Sequence, residues 1–222
     1  MKLYLYNQTR NRDIEEYFDK LQISATDFNA INTPDTQILL VGGGMSPIQP
    51  NFSKTNFVIT NIDFAPSNVH NNKLNQIKGD FLVVSCQQNF FNEIWALYSL
   101  PLYAKSVEAI RVFFAKSILA LAPKGTLRIF PLEFSDDTKL KTRDAEWEIT
   151  TKTVTETVVS ILTDLKTYGI STRYIKCGKQ DEYAAVIKIP DEKIKKNILD
   201  NRMTQIIQQF ANHNLTPQKI YE

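Results

Sequence analysis

Short apolar runs that stop at turn residues recur along the chain. Ile38-Leu39-Leu40-Val41 stops at Gly42, and a second run over residues 57–62 stops at Asp63. A third, weaker run covers residues 74–78 and ends at Gly79-Asp80. Continuous apolar runs of about four to eight residues between turn signals are typical of strands buried on both faces of a parallel sheet. These three segments are therefore predicted to be strands.

Helical periodicity appears in other segments. Ile14, Tyr17, Phe18 and Leu21 follow the i, i+3, i+4, i+7 spacing, which predicts an amphipathic helix over residues 13–21. Gly169 stands where a glycine commonly follows a helix. The same reasoning predicts further helices over residues 104–121, 152–168 and 191–211, and further strands over residues 3–6, 94–98, 126–130, 171–176 and 183–189.

Strands that alternate with helices predict the fold class. We expect an α/β protein with a Rossmann-like, seven-stranded, mostly parallel sheet and helices on both faces. Residues 171–189 read as a strand–loop–strand unit, which adds an antiparallel strand at one edge. We expect residues 1–36 to form an N-terminal extension of one short strand and one helix. Residues 37–190 are predicted to form the main domain, and residues 191–222 a C-terminal helix packed on that domain.

Composition narrows the class of protein. The 222 residues are 43% hydrophobic and 23% charged, which is typical of a folded globular chain rather than a disordered one. A net charge of +2 gives no electrostatic footprint for nucleic acid. With 2 cysteines and 2 histidines, a zinc site or a disulfide framework is not expected, and no other metal site is suggested. The N-terminal apolar run is too short for a signal peptide and no run of ~20 apolar residues exists, so we expect a cytoplasmic protein without a membrane span.

Three of the 7 glycines are adjacent and follow the first strong strand directly, as Gly42-Gly43-Gly44. Glycine at this place permits a tight turn and lets a ligand approach the backbone. Ligands of parallel sheets bind at the carboxyl ends of the strands, near the point where the strand order reverses. Pro47 stands where a dinucleotide fingerprint needs its third glycine, and no Gly-Lys-Ser/Thr follows for a P-loop. A cofactor loop of another kind is the favoured interpretation, and a purely structural turn is the alternative.

Carboxylates follow the next two strands. Asp63 could accept hydrogen bonds from two ribose hydroxyls, or it could cap a helix that begins near Pro66. Asp80 could accept a hydrogen bond from an adenine amino group, with Phe81 stacked on the purine ring. The alternative for Asp80 is a solvated carboxylate in a turn.

Together these segments resemble the motifs of class I S-adenosylmethionine-dependent methyltransferases, in order and in spacing. The first loop is most similar to the branch whose loop reads Gly-Cys-Gly-Asn-Ser, which includes some lysine methyltransferases. The segments that carry the resemblance are residues 38–46, 61–63, 79–81, 91–96 and 121–127. The resemblance implies S-adenosylmethionine as the cofactor, bound by Gly42, Gly43, Gly44, Met45, Asp63, Phe64, Asp80, Phe81 and Ser99.

Two positions depart from the family pattern. Leu40 stands where the family often has an acid that contacts the methionine amino group through water. Residues 99–103, Ser-Leu-Pro-Leu-Tyr, match only loosely the segment of enzymes that methylate amide and base nitrogens, so no substrate is carried over. Because the sulfonium is already activated, the protein mainly needs to orient the acceptor. The candidate catalytic residues are Tyr98, Ser99 and Tyr103.

Three functions follow from these residues. The first is methyl transfer from S-adenosylmethionine to a small-molecule or protein acceptor, with nucleic acid disfavoured by the charge balance. The second is a catalytically silent binding protein of the same fold. The third is an aminopropyl transferase of the spermidine-synthase type, a family that also favours Gly-Gly-Gly. The sequence leaves the oligomeric state open.

Overall fold

A computed structural model describes residues 13–43, 55–64, 73–133, 151–177 and 182–191. The described residues form one seven-stranded sheet in the order β3-β2-β1-β4-β5-β7-β6. The strands are β1 (Gln37–Val41), β2 (Val58–Asp63), β3 (Leu74–Lys78), β4 (Phe91–Leu97), β5 (Leu121–Glu133), β6 (Ser171–Lys176) and β7 (Glu182–Lys188). The helices are α1 (Ile14–Lys20), α2 (Ala25–Ile31), α3 (Val107–Ala120) and α4 (Thr151–Thr167).

The sheet is parallel from β3 through β5. Strand β1 pairs in parallel with β2 on one side and with β4 on the other. Strand β7 runs antiparallel to both β5 and β6, between which it lies. The predicted fold class is therefore confirmed. The strand order reverses between β1 and β4, so a crevice is expected at the carboxyl ends of these two strands.

Successive side chains of the central strands point to opposite faces of the sheet, and each face has its own hydrophobic core. Leu39 of β1 belongs to the core covered by α3 and α4. Leu40, its neighbour, belongs to the core on the other face, which Tyr17 and Leu21 cover from the N-terminal segment. Successive strand residues point to opposite faces of a sheet. Both faces of β1 are therefore buried, which explains why its sequence is a continuous apolar run.

Most predicted elements lie close to their observed bounds. Strand β3 matches the prediction residue for residue, while β4 begins at Phe91, three residues earlier than predicted. Strand β5 begins at Leu121, directly after α3, because Leu121 pairs with Phe91 before the bulge in β4. Gly169 has φ +80° after α4, as its predicted place after a helix requires. The predicted strand 3–6 and the predicted helix 191–211 lie outside the described residues.

Charged residues join the N-terminal helices to the sheet. Arg128 of β5 is buried, and its Nε donates a hydrogen bond to Glu93 Oε2 of β4 at 3.0 Å. Its other guanidinium nitrogens reach the backbone oxygen of Gln22 at 3.0 Å and Asp27 Oδ2 at 3.4 Å. Burial raises the pKa of Glu93, although Arg128 and a hydrogen bond from Trp95 oppose that shift. The segment that contains α1 and α2 is thus anchored by a buried ion pair as well as by apolar contacts.

Candidate active site

Gly42 and Gly43 follow β1 and form a turn, called here the glycine turn, which lies against the residues that follow β4. Gly42 has φ +67°, a conformation that side chains disfavour, and its N–H donates to the Ile62 oxygen at 2.8 Å. A Cβ atom on Gly42 would lie only 2.7 Å from the Cβ of Ser99. Both the backbone conformation and the close approach to Ser99 therefore require glycine at position 42.

Gly43 is held from β2. Its N–H donates to Asn61 Oδ1 at 3.1 Å, and a Cβ on Gly43 would lie 2.6 Å from the same oxygen. Asn61 is completely buried, and its Nδ2 donates to Gln76 Oε1 of β3 at 2.8 Å. No role was predicted for Asn61. The signal that could have indicated one is an amide in the middle of the apolar run of β2.

Ser99 follows β4 and has a buried hydroxyl. The residue is 9% exposed, and its Oγ has no hydrogen-bond partner among the residues that the structure describes. The Oγ lies 3.6 Å from the place that a Cβ on Gly42 would take. A buried hydroxyl without a partner costs about 1–3 kcal/mol. Such a cost next to a turn without side chains indicates a place for a polar ligand group.

The residues around Ser99 fold back over the end of the sheet. Tyr98 has φ +48°, and its N–H donates to the Phe130 oxygen of β5 at 2.7 Å. Its ring packs edge-on against the Phe130 ring, with 5.2 Å between centroids. The N–H of Tyr103 donates to the Ser99 oxygen at 3.3 Å, and the Tyr103 side chain is partly exposed. The structure therefore places Tyr98, Ser99 and Tyr103 in one turn at the carboxyl end of β4.

Asp63 is the last residue of β2 and lies at the same edge of the sheet as the glycine turn. Its side chain is half-buried, and its backbone oxygen accepts the Gly79 N–H at 2.9 Å. Phe64, the next residue, is 56% exposed. Polar and apolar groups thus lie side by side one strand away from Gly42.

Asp80 holds the turn that follows β3. Its Oδ1 accepts the Leu82 N–H at 2.8 Å, and its backbone oxygen accepts the Val84 N–H at 2.8 Å. The alternative interpretation, a solvated carboxylate, is wrong in that Asp80 is buried, and its predicted contact with adenine stays a prediction. Burial of a charged group in this position is offset by the backbone hydrogen bond that it accepts.

Phe81 packs into the core beside α3. It is 3% exposed, and its ring meets the Phe113 ring edge-on, with 5.8 Å between centroids. The Nζ of Lys116 lies 5.4 Å from the Phe81 ring centroid. The observed contacts of this ring are therefore with α3, and stacking on a purine stays a prediction.

The described candidates converge on one edge of the sheet. Gly42, Gly43, Asp63, Asp80 and Ser99 follow or end β1 to β4, which are adjacent in the order β3-β2-β1-β4. With strands about 4.8 Å apart, four strand ends span roughly 14 Å. That distance suits an extended ligand with several polar groups. Gly44 and Met45 lie outside the described residues.

The described part of the chain has neither a cluster of metal-binding side chains nor a membrane-spanning helix. No group of three or more Cys, His, Asp or Glu residues there is arranged to hold a metal ion. No helix there is long and apolar enough to cross a membrane.

Comparison with known proteins gives structural matches only. No protein-family model and no curated protein matches the chain. A S-adenosylmethionine-dependent methyltransferase from Methanosarcina mazei is similar with a TM-score of 0.52 and 14% identity, over 74% of this chain and 97% of that one. The 1,6-didemethyltoxoflavin-N1-methyltransferase of Burkholderia thailandensis, solved with 1,6-didemethyltoxoflavin and S-adenosylhomocysteine, matches with a TM-score of 0.51 and 13% identity, over 81% and 82% of the two chains.

A third match is phosphoethanolamine N-methyltransferase 1 of Haemonchus contortus, solved with phosphoethanolamine and S-adenosylhomocysteine. Its TM-score is 0.50 at 13% identity, over 88% of this chain and 51% of that one. Structural matches at identities this low show a shared fold only. The activity has to be argued from the site. The chain has the fold of class I S-adenosylmethionine-dependent methyltransferases.

Proposed function

We propose that this protein binds S-adenosylmethionine and transfers its methyl group to a small-molecule or protein acceptor. The observation that carries the proposal is the glycine turn packed against Ser99, whose buried hydroxyl lacks a partner among the described residues. This turn lies where the strand order reverses, in a fold shared with methyltransferases. Two of the similar structures hold small acceptors, 1,6-didemethyltoxoflavin and phosphoethanolamine, which favours a small molecule here as well.

The residues present fit such a cofactor. Gly42 and Gly43 would let its amino-acid part approach the backbone, since glycine has no side chain to stand in the way. Asp63 would accept hydrogen bonds from the ribose, with Phe64 beside it. Gly44 and Met45 stay predicted cofactor contacts. When bound, S-adenosylmethionine supplies an activated methyl group, so the chain needs no strong nucleophile or metal of its own.

The adenine end would lie at the turn after β3. Asp80 fixes that turn through the Leu82 N–H, and Phe81 anchors it in the core against Phe113. This pair would therefore form one rigid side of the adenine site and also supply a hydrogen-bond acceptor. The likeness of the first loop to the Gly-Cys-Gly-Asn-Ser branch, and a cytoplasmic location, stay predictions.

The acceptor would lie near Tyr98, Ser99 and Tyr103. Methyl transfer needs the acceptor atom held in line with the sulfur–methyl bond, and positioning of this kind is what a rigid turn supplies. The Tyr98 backbone is tied to β5 and the Tyr103 backbone to Ser99, so the turn is fixed at both ends. The Ser99 hydroxyl would bind a polar group of the cofactor or the acceptor.

Ser99→Ala tests this proposal. Removal of an unsatisfied buried hydroxyl should remove its cost, so the ligand-free variant should be about 1–3 kcal/mol more stable than wild type. The same change should weaken the binding of S-adenosylhomocysteine or slow methyl transfer about tenfold, because one hydrogen bond to a ligand is lost. Ser117→Ala is the matched control, since its Oγ in α3 is also buried without a described partner but lies beside the amino end of β5 and not at the carboxyl ends that form the site. Equal binding and equal turnover in Ser99→Ala and Ser117→Ala would contradict the proposal.

A catalytically silent binding protein is the second candidate. Leu40 is completely buried and lies against Gly43, at the position where the family often has an acid. Cofactor binding without turnover across a broad acceptor screen would favour this candidate. The aminopropyl-transferase alternative gains nothing, because residues 98–107 after β4 include no acid to bind a polyamine.

A further inference from the structure

Asn61 is a polar side chain in the most buried part of the sheet. It is completely buried in β2, and it lies on the same face of that strand as Ile59, which belongs to the core beneath α1. A buried amide disfavours folding unless its donors and acceptors are satisfied. Among its described hydrogen bonds, the Asn61 side chain accepts one from the glycine turn and donates one to Gln76 of β3.

The direction of these bonds fixes the orientation of the amide. The Gly43 N–H can only donate, so the oxygen of Asn61 must face it, at 3.1 Å. The Nδ2 of Asn61 then points at Gln76 Oε1, at 2.8 Å. A rotated Asn61 would set its NH₂ group against the Gly43 N–H, donor against donor. Because Gln76 Oε1 accepts from Nδ2, it favours the orientation in which the Asn61 oxygen faces the turn.

The fit around Gly43 is close on more than one side. A Cβ on Gly43 would lie 2.6 Å from Asn61 Oδ1 and 3.1 Å from the Cβ of Leu40. Gly42, one residue earlier, has φ +67°. Two consecutive glycines have many alternative backbone conformations, which the hydrogen bond from Gly43 to Asn61 restricts.

We infer that Asn61 is a positioning residue that, oriented by Gln76, sets the shape of the glycine turn. This inference rests on the proposed function for its consequence, which is tighter cofactor binding. A ligand that needs one conformation of a turn has its apparent affinity reduced in proportion to the fraction of molecules that already have that conformation. Without the hydrogen bond the turn samples other conformations, so affinity falls although Asn61 itself need not touch the ligand.

The test uses substitutions of matched shape. Asn61→Leu keeps the side-chain volume and removes the acceptor, and Gln76→Met keeps its length and removes the oxygen that orients Asn61. Gln76→Glu retains an acceptor for Nδ2 and should behave as wild type. Thr60→Val is the control, because Thr60 is a buried neighbour in the same strand whose side chain points to the opposite face.

Two readouts separate this inference from the proposed function. Hydrogen exchange of the Gly43 amide in the ligand-free protein should be about five- to tenfold faster in Asn61→Leu, and faster in Gln76→Met, since one net hydrogen bond is lost. Affinity for S-adenosylhomocysteine, measured by calorimetry, should fall by a similar factor in both variants and stay unchanged in Thr60→Val and Gln76→Glu.

Each result has one meaning. Unchanged Gly43 exchange in Asn61→Leu would overturn the inference, whatever the affinity. Weaker binding in Thr60→Val to the same degree would overturn it too, because a general loss of stability would then explain the effect. If wild type binds no S-adenosylhomocysteine, the proposed function fails, while Gly43 exchange still decides whether Asn61 positions the turn.

Discussion

Gly42→Ala perturbs the turn at the point where two constraints coincide. The residue has φ +67°, and a Cβ there would lie 2.7 Å from the Cβ of Ser99. Real Cβ atoms do not approach one another so closely, so the turn after β1 or the turn after β4 must move. Both turns line the proposed site, and the substitution should therefore reduce stability and ligand binding together.

The size of the effect follows from the two constraints. A non-glycine residue in the left-handed region costs about 1–2 kcal/mol. An extra methyl group forced into a packed region costs about 1–3 kcal/mol. The two together predict a loss of about 2–5 kcal/mol in the free energy of unfolding, a large share of the stability of an ordinary domain.

The assay is urea unfolding of four variants, with S-adenosylhomocysteine titrated into each. Ser99→Gly removes the atom that clashes, so the double variant with Gly42→Ala should recover the steric part and keep the conformational part. Gly169→Ala, at φ +80° after α4, is the control for conformational cost alone. It should lose about 1–2 kcal/mol of stability and bind the ligand as wild type does. Wild-type stability and binding in Gly42→Ala would refute the reasoning.

Two further predictions concern the buried charges. Arg128→Met leaves Glu93 buried without its cation, so the free energy of unfolding should fall by about 3–5 kcal/mol in urea titrations; a loss below about 1 kcal/mol would contradict this. Burial raises the pKa of Glu93, so its contribution to stability is full below the unfolded-state pKa of about 4.3 and is lost as pH rises through the folded-state value. Wild type should therefore lose stability relative to Glu93→Gln over that rise, and a constant difference between the two proteins would contradict the sign.

The sheet was predictable because its central strands are mainly apolar. Residues 38–41 are an unbroken apolar run that is buried on both faces, and residues 57–62 are largely buried and apolar apart from Thr60 and Asn61. Helix α2 was missed because it has 7 residues and no fully buried side chain, so no apolar stripe indicates it. Its one local signal was Ser24 followed three residues later by Asp27, which form a capping box.

The contacts that shape the site could not be predicted, because they depend on strand register. Asn61 meets Gly43 and Gln76 only once β1, β2 and β3 are aligned. Likewise the Glu93–Arg128 pair joins β4 to β5 across a register that includes a bulge. Sequence periodicity says which face of a strand a residue occupies, and it does not say which residue of the next strand lies beside it.

The direction of the Phe81 ring could not be predicted from motif order. The structure buries this ring against Phe113, and its predicted stacking on a purine stays a prediction. Motif order located this segment correctly beside the other strand ends. The direction of one aromatic ring depends on α3, which lies farther along the chain.

Calorimetric titration with S-adenosylmethionine, S-adenosylhomocysteine and NAD tests the central claim most directly. The account predicts micromolar binding of the first two and none of NAD. Asp63→Ala should weaken binding about tenfold or more, because hydrogen bonds to a charged group are lost, whereas Asp164→Ala on the exposed side of α4 should not. Absence of binding by either adenosyl compound, or equal binding in Asp63→Ala, would contradict the account.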